Sequence, residues 1–504
     1  MTKKENFIAQ IIAGYTFKGA TIQIGAAMLD QEAIAEAQVF LPLKTLNRHG
    51  LIAGATGTGK TKTIQVMSEQ LSIAGIPVLM MDIKGDFSGV AMPGEAKPFI
   101  VERHNKLNIP YTTDGFPVEL MSLSAQSGVR LRATISEFGP VLFSRILDLN
   151  DTQEGVIAVI FKYCDDNKMP LLDLKDFKKV INYITEEGKE EIESSYGKIA
   201  TTTTGTILRK IIELEQQGAE LFFGETSFDI NDLMRFDANG KAYINIIRLT
   251  DIQDKPKLFS TFMLSLLAEI YHIMPEKGDV EQPELVIFID EAHLLFNEAS
   301  KSLMRQIETT IKLIRSKGIG VFFITQNPMD IPSSVLAQLG LKIQHALRAF
   351  TANDRQAIKQ TADNYPLSDF YKTDQIITSL GIGEALITVL NEKGIPTPLA
   401  ATMLRAPMSR MDILTDNEIE VINKNSRLVK KYEPIIDRES AYEMLSKKIE
   451  AAHEQATSEI ENQTETKDNE PSTAAVIGKS VLKVITSASF IRGAFGVLMK
   501  MFRK

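Results

Sequence analysis

A glycine-rich segment of eight residues constrains this chain more than any other feature of its sequence. It follows an apolar, strand-like run at residues 51–53 and precedes a helix-like run at residues 63–74. Glycines let backbone N–H groups curl around phosphate oxygens, and the N-terminus of a helix attracts negative charge. We therefore predict a phosphate-binding loop and a chain that binds a nucleoside triphosphate. The segment consists of Gly54, Ala55, Thr56, Gly57, Thr58, Gly59, Lys60 and Thr61.

The last two residues of the loop carry its specific chemistry. Lys60 can bring a positive charge to the β- and γ-phosphates, and the Thr61 hydroxyl can ligate Mg²⁺. The alternative is a glycine-rich turn that arose by chance. The strand before and the helix after the segment favour the phosphate loop.

Acidic residues follow a second apolar run, at residues 285–289. Asp290 suits a role in holding Mg²⁺, and Glu291 suits a base that orients and deprotonates water. Gln326 ends the next apolar run and could sense the γ-phosphate, although it could also begin a turn before Pro328. Asp82 ends the run at residues 78–81; the alternatives are a carboxylate of the nucleotide crevice and an exposed loop acid.

Composition sets broad limits. The chain has 504 residues, of which 44% are hydrophobic and 24% charged, as is usual for a globular protein. The single cysteine, Cys164, excludes an intramolecular disulfide, and no secretory signal follows the N-terminal lysines, so we predict a cytoplasmic protein. The net charge of −8 argues against a surface coated for nucleic-acid binding, but a ring of subunits can still line a basic channel.

Alternating strand-like and helix-like runs predict an α/β fold with a mostly parallel sheet. Seven runs are candidate strands, at residues 51–53, 78–81, 242–247, 285–289, 321–324, 343–347 and 385–389. In the first 45 residues we predict β-like pieces at 15–17 and 21–24, a helix at 30–37 and a strand-like piece at 39–43. The predicted organisation is a short N-terminal cap at 1–45, an ATPase core at 46–123 and 238–453, a helical insertion at 124–237, an acidic flexible linker at 454–473 and a basic amphipathic tail at 474–504.

The tail combines six basic residues with no acidic residue and many apolar side chains. Such a segment can lie on an anionic membrane surface, at the inner face of the membrane, or bind an acidic partner or nucleic acid. The alternative is a C-terminal helix that packs on its own or a neighbouring subunit. No apolar run is long enough for a membrane-spanning helix.

Several motifs in a fixed order resemble one known family. They are Asn47-Arg48-His49-Gly50, the loop GATGTGKT, the segment Met81-Asp82-Ile83-Lys84-Gly85-Asp86, FIDEAH, Arg315 near a helix end, and FFITQNP. Residues 5–450 resemble the HerA-like branch of the HerA/FtsK ATPases, and most closely the YjgR-type bacterial proteins. The resemblance implies a RecA-like P-loop core, ATP with Mg²⁺, and a homo-oligomeric ring, commonly a hexamer.

The resemblance also implies roles for individual residues. Asp82 would lie in the catalytic pocket, Glu291 would activate water and Gln326 would act as a sensor. Arg315 matches an arginine supplied to a neighbour's γ-phosphate, and Arg48 an arginine that acts near the nucleotide; either could instead form a surface ion pair. The short N-terminal region and the helical insertion depart from the minimal DNA motor.

Two functional hypotheses follow. The first is a ring-forming ATPase that couples hydrolysis to binding or movement of double-stranded DNA, as a translocase or helicase. The second is a nucleotide-gated assembly or membrane-tethered switch with slow turnover and no DNA translocation. A small-molecule kinase is disfavoured by Gln326, and an RNA helicase of the DEAH type is disfavoured because the late arginine-rich helicase motif is missing.

Overall fold

The computed structural model of the chain describes residues 2–297, 301–434, 436 and 438–465. The chain divides into a compact unit of residues 1–442 and a second unit that begins at Glu443. The strands are β1 (Thr21–Leu29), β2 (Glu32–Pro42), β3 (Gly50–Ala53), β4 (Val78–Asp82), β5 (Val118–Ser122), β6 (Val129–Arg130), β7 (Ile244–Arg248), β8 (Leu285–Ile289), β9 (Ile319–Thr325), β10 (Leu341–Gln344), β11 (Glu384–Val389) and β12 (Ala400–Leu404).

Seventeen helices accompany these strands in the described residues. They are α1 (Lys3–Tyr15), α2 (Lys60–Ile73), α3 (Pro98–Leu107), α4 (Ile135–Ile146), α5 (Asp151–Asp166), α6 (Leu174–Thr185), α7 (Lys189–Tyr196), α8 (Thr201–Gln216), α9 (Pro256–Ile273), α10 (His293–Asn297), α11 (Lys301–Ile314), α12 (Ser333–Leu336), α13 (Ala352–Asp363), α14 (Thr373–Ser379), α15 (Asp416–Asn425), α16 (Arg427–Tyr432) and α17 (Ala441–Glu465).

One mixed sheet contains all twelve strands found in the described residues, in the order β2-β1-β12-β11-β10-β3-β9-β8-β4-β7-β5-β6. The pairs from β10 to β6 are parallel, and those from β2 to β10 are antiparallel. The predicted α/β fold with a mostly parallel sheet is therefore confirmed. All seven predicted strands are present, as β3, β4, β7, β8, β9, β10 and β11.

The central strands are apolar because both of their faces are covered. Every residue of β3, β4, β8 and β9 is buried. Parallel strands covered on both faces read as continuous apolar runs without alternation. Because these strands run in the same direction, their carboxyl ends lie along one edge of the sheet.

The N-terminal region differs from its prediction. The expected helix at 30–37 is wrong: the residues form the turn of the β1–β2 hairpin and the first part of β2, and Leu29 pairs with Glu32. Asp30 and Gln31 both adopt positive φ, of 50° and 68°, as a two-residue hairpin turn requires. Pairing along the strands overrides the helix preference of the alanines and glutamates. The hairpin also joins the main sheet through β12, so it is not a separate cap.

Residues 15–17, predicted as β-like, instead contain the end of helix α1. A capping box begins this helix: Glu5 N–H donates to Thr2 Oγ1 (3.2 Å) and Thr2 N–H to Glu5 Oε2 (2.8 Å). At its other end, the buried Tyr15 hydroxyl lies 2.9 Å from Ile387 O and 2.8 Å from Pro398 O. The Tyr15 hydroxyl thus links the end of α1 by hydrogen bonding to β11 and to the residues before β12.

The predicted helical insertion, residues 124–237, contains the five helices α4 to α8. Their interior is aromatic: the Phe143 ring lies 4.9 Å from that of Phe177 and 6.1 Å from that of Phe223. The segment leaves the sheet after β5 and β6 and returns at β7, which pairs with β5 in parallel. The segment also contains the short strand β6, which pairs with β5 just before the segment begins.

The predicted acidic linker begins inside a helix. Helix α17 runs to Glu465, so residues 454–465 are helical. The rest of the linker and the basic tail at 474–504 lie outside the described residues. Within the part of the chain that is described, no helix is long and apolar enough to cross a membrane.

We expect the Tyr15→Phe substitution to lower the free energy of unfolding by about 1 kcal/mol, because it leaves buried carbonyl groups without their donor. Urea denaturation followed by circular dichroism measures this change. Tyr365→Phe is the matched control, because the Tyr365 side chain is also buried and its hydroxyl has no hydrogen-bond partner among the described residues. Equal effects of the two substitutions would contradict a stabilising contribution from the hydrogen bonds of the Tyr15 hydroxyl.

Candidate active site

The predicted phosphate loop lies between β3 and α2, at the carboxyl edge of the parallel sheet. Gly54 and Gly59 adopt φ values of 151° and 109°, which side chains other than that of glycine rarely tolerate. A Cβ atom at Gly54 would lie 2.5 Å from the Cβ of His345. The loop is therefore packed tightly against the residue that follows β10.

The N-terminus of α2 is open toward the loop. Gly59 is the N-cap and makes no side-chain cap, so the first N–H groups of the helix remain available to an anion. Lys60 Nζ contacts carbonyl oxygens of its own loop, Gly54 O at 2.5 Å and Ala55 O at 3.1 Å. Burial, aided by the positive charge of Lys84, lowers the Lys60 pKa to about 8. A phosphate group would stabilise the charged form of this lysine.

His345 packs against the phosphate loop. No motif in the sequence identified this residue. Its Nε2 atom lies 3.0 Å from Thr63 Oγ1, and the residue is fully buried. Burial lowers the pKa of the imidazole to about 3, so the ring is neutral. The next residue, Ala346, accepts a hydrogen bond from Ala55 N–H at 2.9 Å. An isolated histidine after a strand carries no motif, and only the adjacency of β10 and β3 reveals its role.

Asp290 and Glu291 follow β8 at the same edge. Asp290 is buried, and burial together with the neighbouring Glu291 raises its pKa to about 7, although Lys84 opposes the shift. Glu291 adopts a left-handed backbone conformation, with φ of 45°. A glutamate rarely adopts this conformation, and such strain is concentrated at functional sites.

The carboxylate of Glu291 receives donors at Oε1, whereas its Oε2 atom has no hydrogen-bond partner among the described residues. Lys84 Nζ lies 2.5 Å from Oε1, and His293 Nδ1 lies 3.1 Å from Oε2. Gln326 Nε2 donates to Oε1 at 3.4 Å, because β8 and β9 are neighbours. Burial alone would raise the Glu291 pKa, but the contacts with Lys84, His293 and Gln326 lower it overall. The structure therefore brings the predicted base and sensor into contact.

Asp82 lies at the end of β4, where its carboxylate shapes the following turn. Gly85 N–H donates to Oδ1 at 2.8 Å, and Phe87 N–H donates to Oδ2 at 3.3 Å. Burial and the neighbouring Asp86 raise the Asp82 pKa to about 6. The alternative of an exposed loop acid is wrong, because this side chain is buried. Its observed contacts hold the turn that carries Lys84 and Asp86.

Oxygen groups that suit Mg²⁺ lie beside the loop. The Thr61 hydroxyl donates to Asp86 Oδ2 at 3.0 Å, and Asp290 is the other nearby carboxylate predicted to help hold the ion. Magnesium prefers oxygen ligands and usually keeps several waters while it binds substrate phosphates. These residues fit an ion that binds together with a nucleotide. In the sequence, Asp86 stands out only as a neighbour of Asp82, placed after a strand and a glycine.

Arg48 and Arg315 lie at the opposite, amino edge of the sheet. Arg48 precedes β3 and Arg315 precedes β9, whereas the phosphate loop and Gln326 follow these strands. The four residues of β3 alone span about 13 Å. Neither arginine is therefore positioned to serve the phosphate loop of its own chain. As catalytic arginines, both stay predictions that require a loop from another subunit.

His49 connects the segments that carry the two arginines. Its Nε2 donates to Ile311 O at 2.8 Å, and Val321 N–H donates to its Nδ1 at 3.1 Å. Burial, aided by the charge of Arg315, lowers the His49 pKa to about 4. Burial and the charge of Arg315 also lower the pKa of Arg48, so the two arginines are electrostatic neighbours.

Comparison with known proteins identifies the family of the chain. The family model described as "Helicase HerA-like C-terminal" matches residues 27–490. The chain belongs to the HerA-like family. The match does not distinguish the YjgR-type subgroup, which stays a prediction.

Curated relatives and one solved structure extend the comparison. The chain is 22% identical over 386 residues to the DNA double-strand break repair helicase HerA of Sulfolobus acidocaldarius, covering 75% of this chain and 69% of that protein. It is 25% identical to the protein of the same name from Sulfurisphaera tokodaii, over 74% of this chain and 67% of that protein. The plasmid coupling protein TrwB, in complex with a non-hydrolysable ATP analogue, matches with a TM-score of 0.50 and 14% identity, covering 79% of this chain and 100% of that chain. The likeness to TrwB shows a shared fold.

We expect His49 to make the protein sensitive to acid. Between the ordinary histidine pKa and about 4, the unfolded chain binds a proton at this position that the folded HerA-like chain does not. Stability therefore falls as the pH falls through this window. When the pH is lowered from 7 to 5, the free energy of unfolding should fall by about 2 kcal/mol more for wild type than for His49→Asn. Urea denaturation at the two pH values measures this difference.

Asparagine is the chosen replacement because it tolerates the left-handed conformation of His49, with φ of 59°. The exposed His272 provides the control, and His272→Asn should retain the wild-type slope. Identical pH slopes for wild type and His49→Asn would rule out this source of acid sensitivity.

Proposed function

We propose that this HerA-like chain hydrolyses ATP with Mg²⁺. One observation carries the proposal: a phosphate loop with an open helix N-terminus shares one sheet edge with a buried glutamate that is hydrogen-bonded to Gln326. The loop amides and Lys60 would hold the phosphates. Thr61, with Asp290 and Asp86 nearby, would hold the metal ion, which neutralises phosphate charge when it is bound.

The remaining side chains would act on water. Glu291 would accept a proton as the water oxygen bonds to the γ-phosphorus and the bond to the leaving ADP oxygen breaks. Gln326 would orient the water through its amide group. Lys60 would stay on the phosphates, so the negative charge of the leaving ADP remains compensated.

The arginines at the amino edge support a ring of identical subunits. In such a ring, the amino edge of one sheet would face the phosphate loop of the next subunit, so Arg315 and Arg48 would act on a neighbour's nucleotide. An arginine supplied in this way is worth about 10³ to 10⁵ in rate in well-studied NTPases. We propose a hexamer, in accordance with the family resemblance.

Double-stranded DNA is the proposed polymer because relatives are named as DNA repair helicases. The first experiment measures phosphate release from ATP with and without duplex DNA over a salt series, with Lys60→Ala as the blank. We expect DNA to stimulate hydrolysis and the stimulation to decline as salt rises, because phosphate contacts release counterions.

Hydrolysis that depends on Lys60 but is indifferent to DNA at every salt concentration would contradict the DNA proposal. It would favour the nucleotide-gated switch suggested by the basic sequence at 474–504. The peripheral membrane location belongs to that alternative. Vesicle sedimentation of the full chain, compared with a chain ending at residue 473, distinguishes it from a cytoplasmic motor.

We expect Glu291→Gln to retain ATP binding and to hydrolyse ATP at least about a hundredfold more slowly, because a positioned base contributes that much. Phosphate release under single-turnover conditions measures the chemical step directly. Glu281→Gln is the control, since Glu281 has an exposed side chain that forms an ion pair with Lys44. Wild-type turnover by Glu291→Gln would overturn the assignment of the base.

A further inference from the structure

Lys84 contacts the predicted base and acts electrostatically on the lysine of the phosphate loop. Its ammonium group contacts Glu291 at 2.5 Å, and the carboxylates of Asp290 and Asp86 act on it electrostatically. Its positive charge also acts on Lys60, the lysine predicted to hold the phosphates. Two lysines that face the same cluster of acids thus lie close enough to influence each other.

The ion pair with Lys84 occupies a carboxylate oxygen of Glu291, the residue proposed to act as the base. Glu291 Oε1 already receives the Lys84 ammonium and the Gln326 amide, whereas Oε2 lies 3.1 Å from His293 Nδ1 and has no hydrogen-bond partner among the described residues. Oε1 therefore has little room to accept a hydrogen bond from an attacking water, and the nearby ammonium charge makes the whole carboxylate less basic. Opening the pair between Lys84 and Glu291 would free Oε1 and make Glu291 a stronger base.

The loop around Lys84 is fixed, whereas the side chain can move. Asp82 holds the turn through Gly85 and Phe87, and Gln253 Nε2 donates to Ile83 O at 2.6 Å. The Lys84 side chain is one-third exposed and ends a flexible four-carbon stem. A swing of the side chain alone could therefore transfer its charge without refolding the loop.

We infer that Lys84 is a positioning residue that holds Glu291 when no nucleotide is bound and moves to the γ-phosphate when ATP binds, which releases Glu291. The inference rests on the proposed ATP hydrolysis. ADP lacks the γ-phosphate, so it leaves the Lys84–Glu291 pair closed. Lys84 thus makes the site respond to ATP and not to ADP.

Equilibrium binding tests this inference without requiring turnover. The dissociation constants of Mg²⁺-ADP and of the non-hydrolysable analogue β,γ-imido-ATP are measured by calorimetry, and their ratio reports the preference for the γ-phosphate. We expect Lys84→Met to reduce this preference by about tenfold, the worth of one partly exposed charged hydrogen bond. Lys84→Arg should retain most of the preference.

Replacing Glu291, the residue that pairs with Lys84, should change the preference in the opposite direction. Glu291→Gln removes the charge that competes for Lys84, so it should increase the preference for the ATP analogue several-fold. The double variant should behave like Lys84→Met, because the effect of Glu291 acts through Lys84. Lys106→Met is the control, since Lys106 forms an exposed ion pair with Glu102 at 2.8 Å on helix α3.

The outcomes distinguish a failure of the proposed ATP hydrolysis from a failure of the role inferred for Lys84. Wild-type protein that binds neither nucleotide would overturn the proposed function. Wild-type protein that binds both, with an unchanged preference in Lys84→Met, would show that the ion pair only stabilises the fold. If Lys84→Met does not fold, the Glu291→Gln variant tests the inference by itself. An unchanged preference for the ATP analogue in that variant would overturn the role of Lys84.

Discussion

Parallel pairing of the central strands is the constraint on which the rest of the structure depends. Ala53 pairs with Thr325, and Ile289 pairs with Phe323. This register brings the residues that follow β3, β8 and β9 to one edge, although β3 is separated from the other two strands by more than 200 positions in sequence. A shift of one residue would turn every side chain of a strand to the other face of the sheet.

The site formed at that edge concentrates buried charge. Lys60, Asp82 and Asp290 are each buried, and burial shifts the pKa of each toward its neutral form. Isolated charges of this kind are costly to bury, so they persist only when they interact with one another or with a ligand. Beside these residues, Lys84 and Glu291 form a direct contact of opposite charges. A triphosphate with a metal ion would supply the remaining compensation.

The two edges of the sheet carry different parts of the proposed machinery. The carboxyl edge holds the phosphate loop, the base and the sensor, whereas the amino edge holds Arg48 and Arg315. His49 joins the segments before β3 and β9 and fixes this second edge. Such a separation gives the chain two complementary surfaces, which suits head-to-tail assembly into a closed ring. It also explains why we propose a shared active site.

The sequence by itself determined the features that depend on local chemistry. Apolar runs predicted all seven central strands, and the glycines, Lys60 and Thr61 predicted the phosphate loop, because strand burial and phosphate binding require specific residues at short spacing. The sequence also identified Glu291 as a candidate base and Gln326 as a candidate sensor. Their contact depends on the order of the strands, which places β8 beside β9.

Only the tertiary structure decided the rest. The helix-prone residues 30–37 became part of a hairpin because β1 offered a pairing partner. His345 acquired its role under the loop because β10 lies beside β3, and Lys84 contacts Glu291 because β4 lies beside β8. The distance of Arg48 from its own phosphate loop follows from the direction of β3. Contacts between distant segments depend on strand order and direction, which no local pattern of residues encodes.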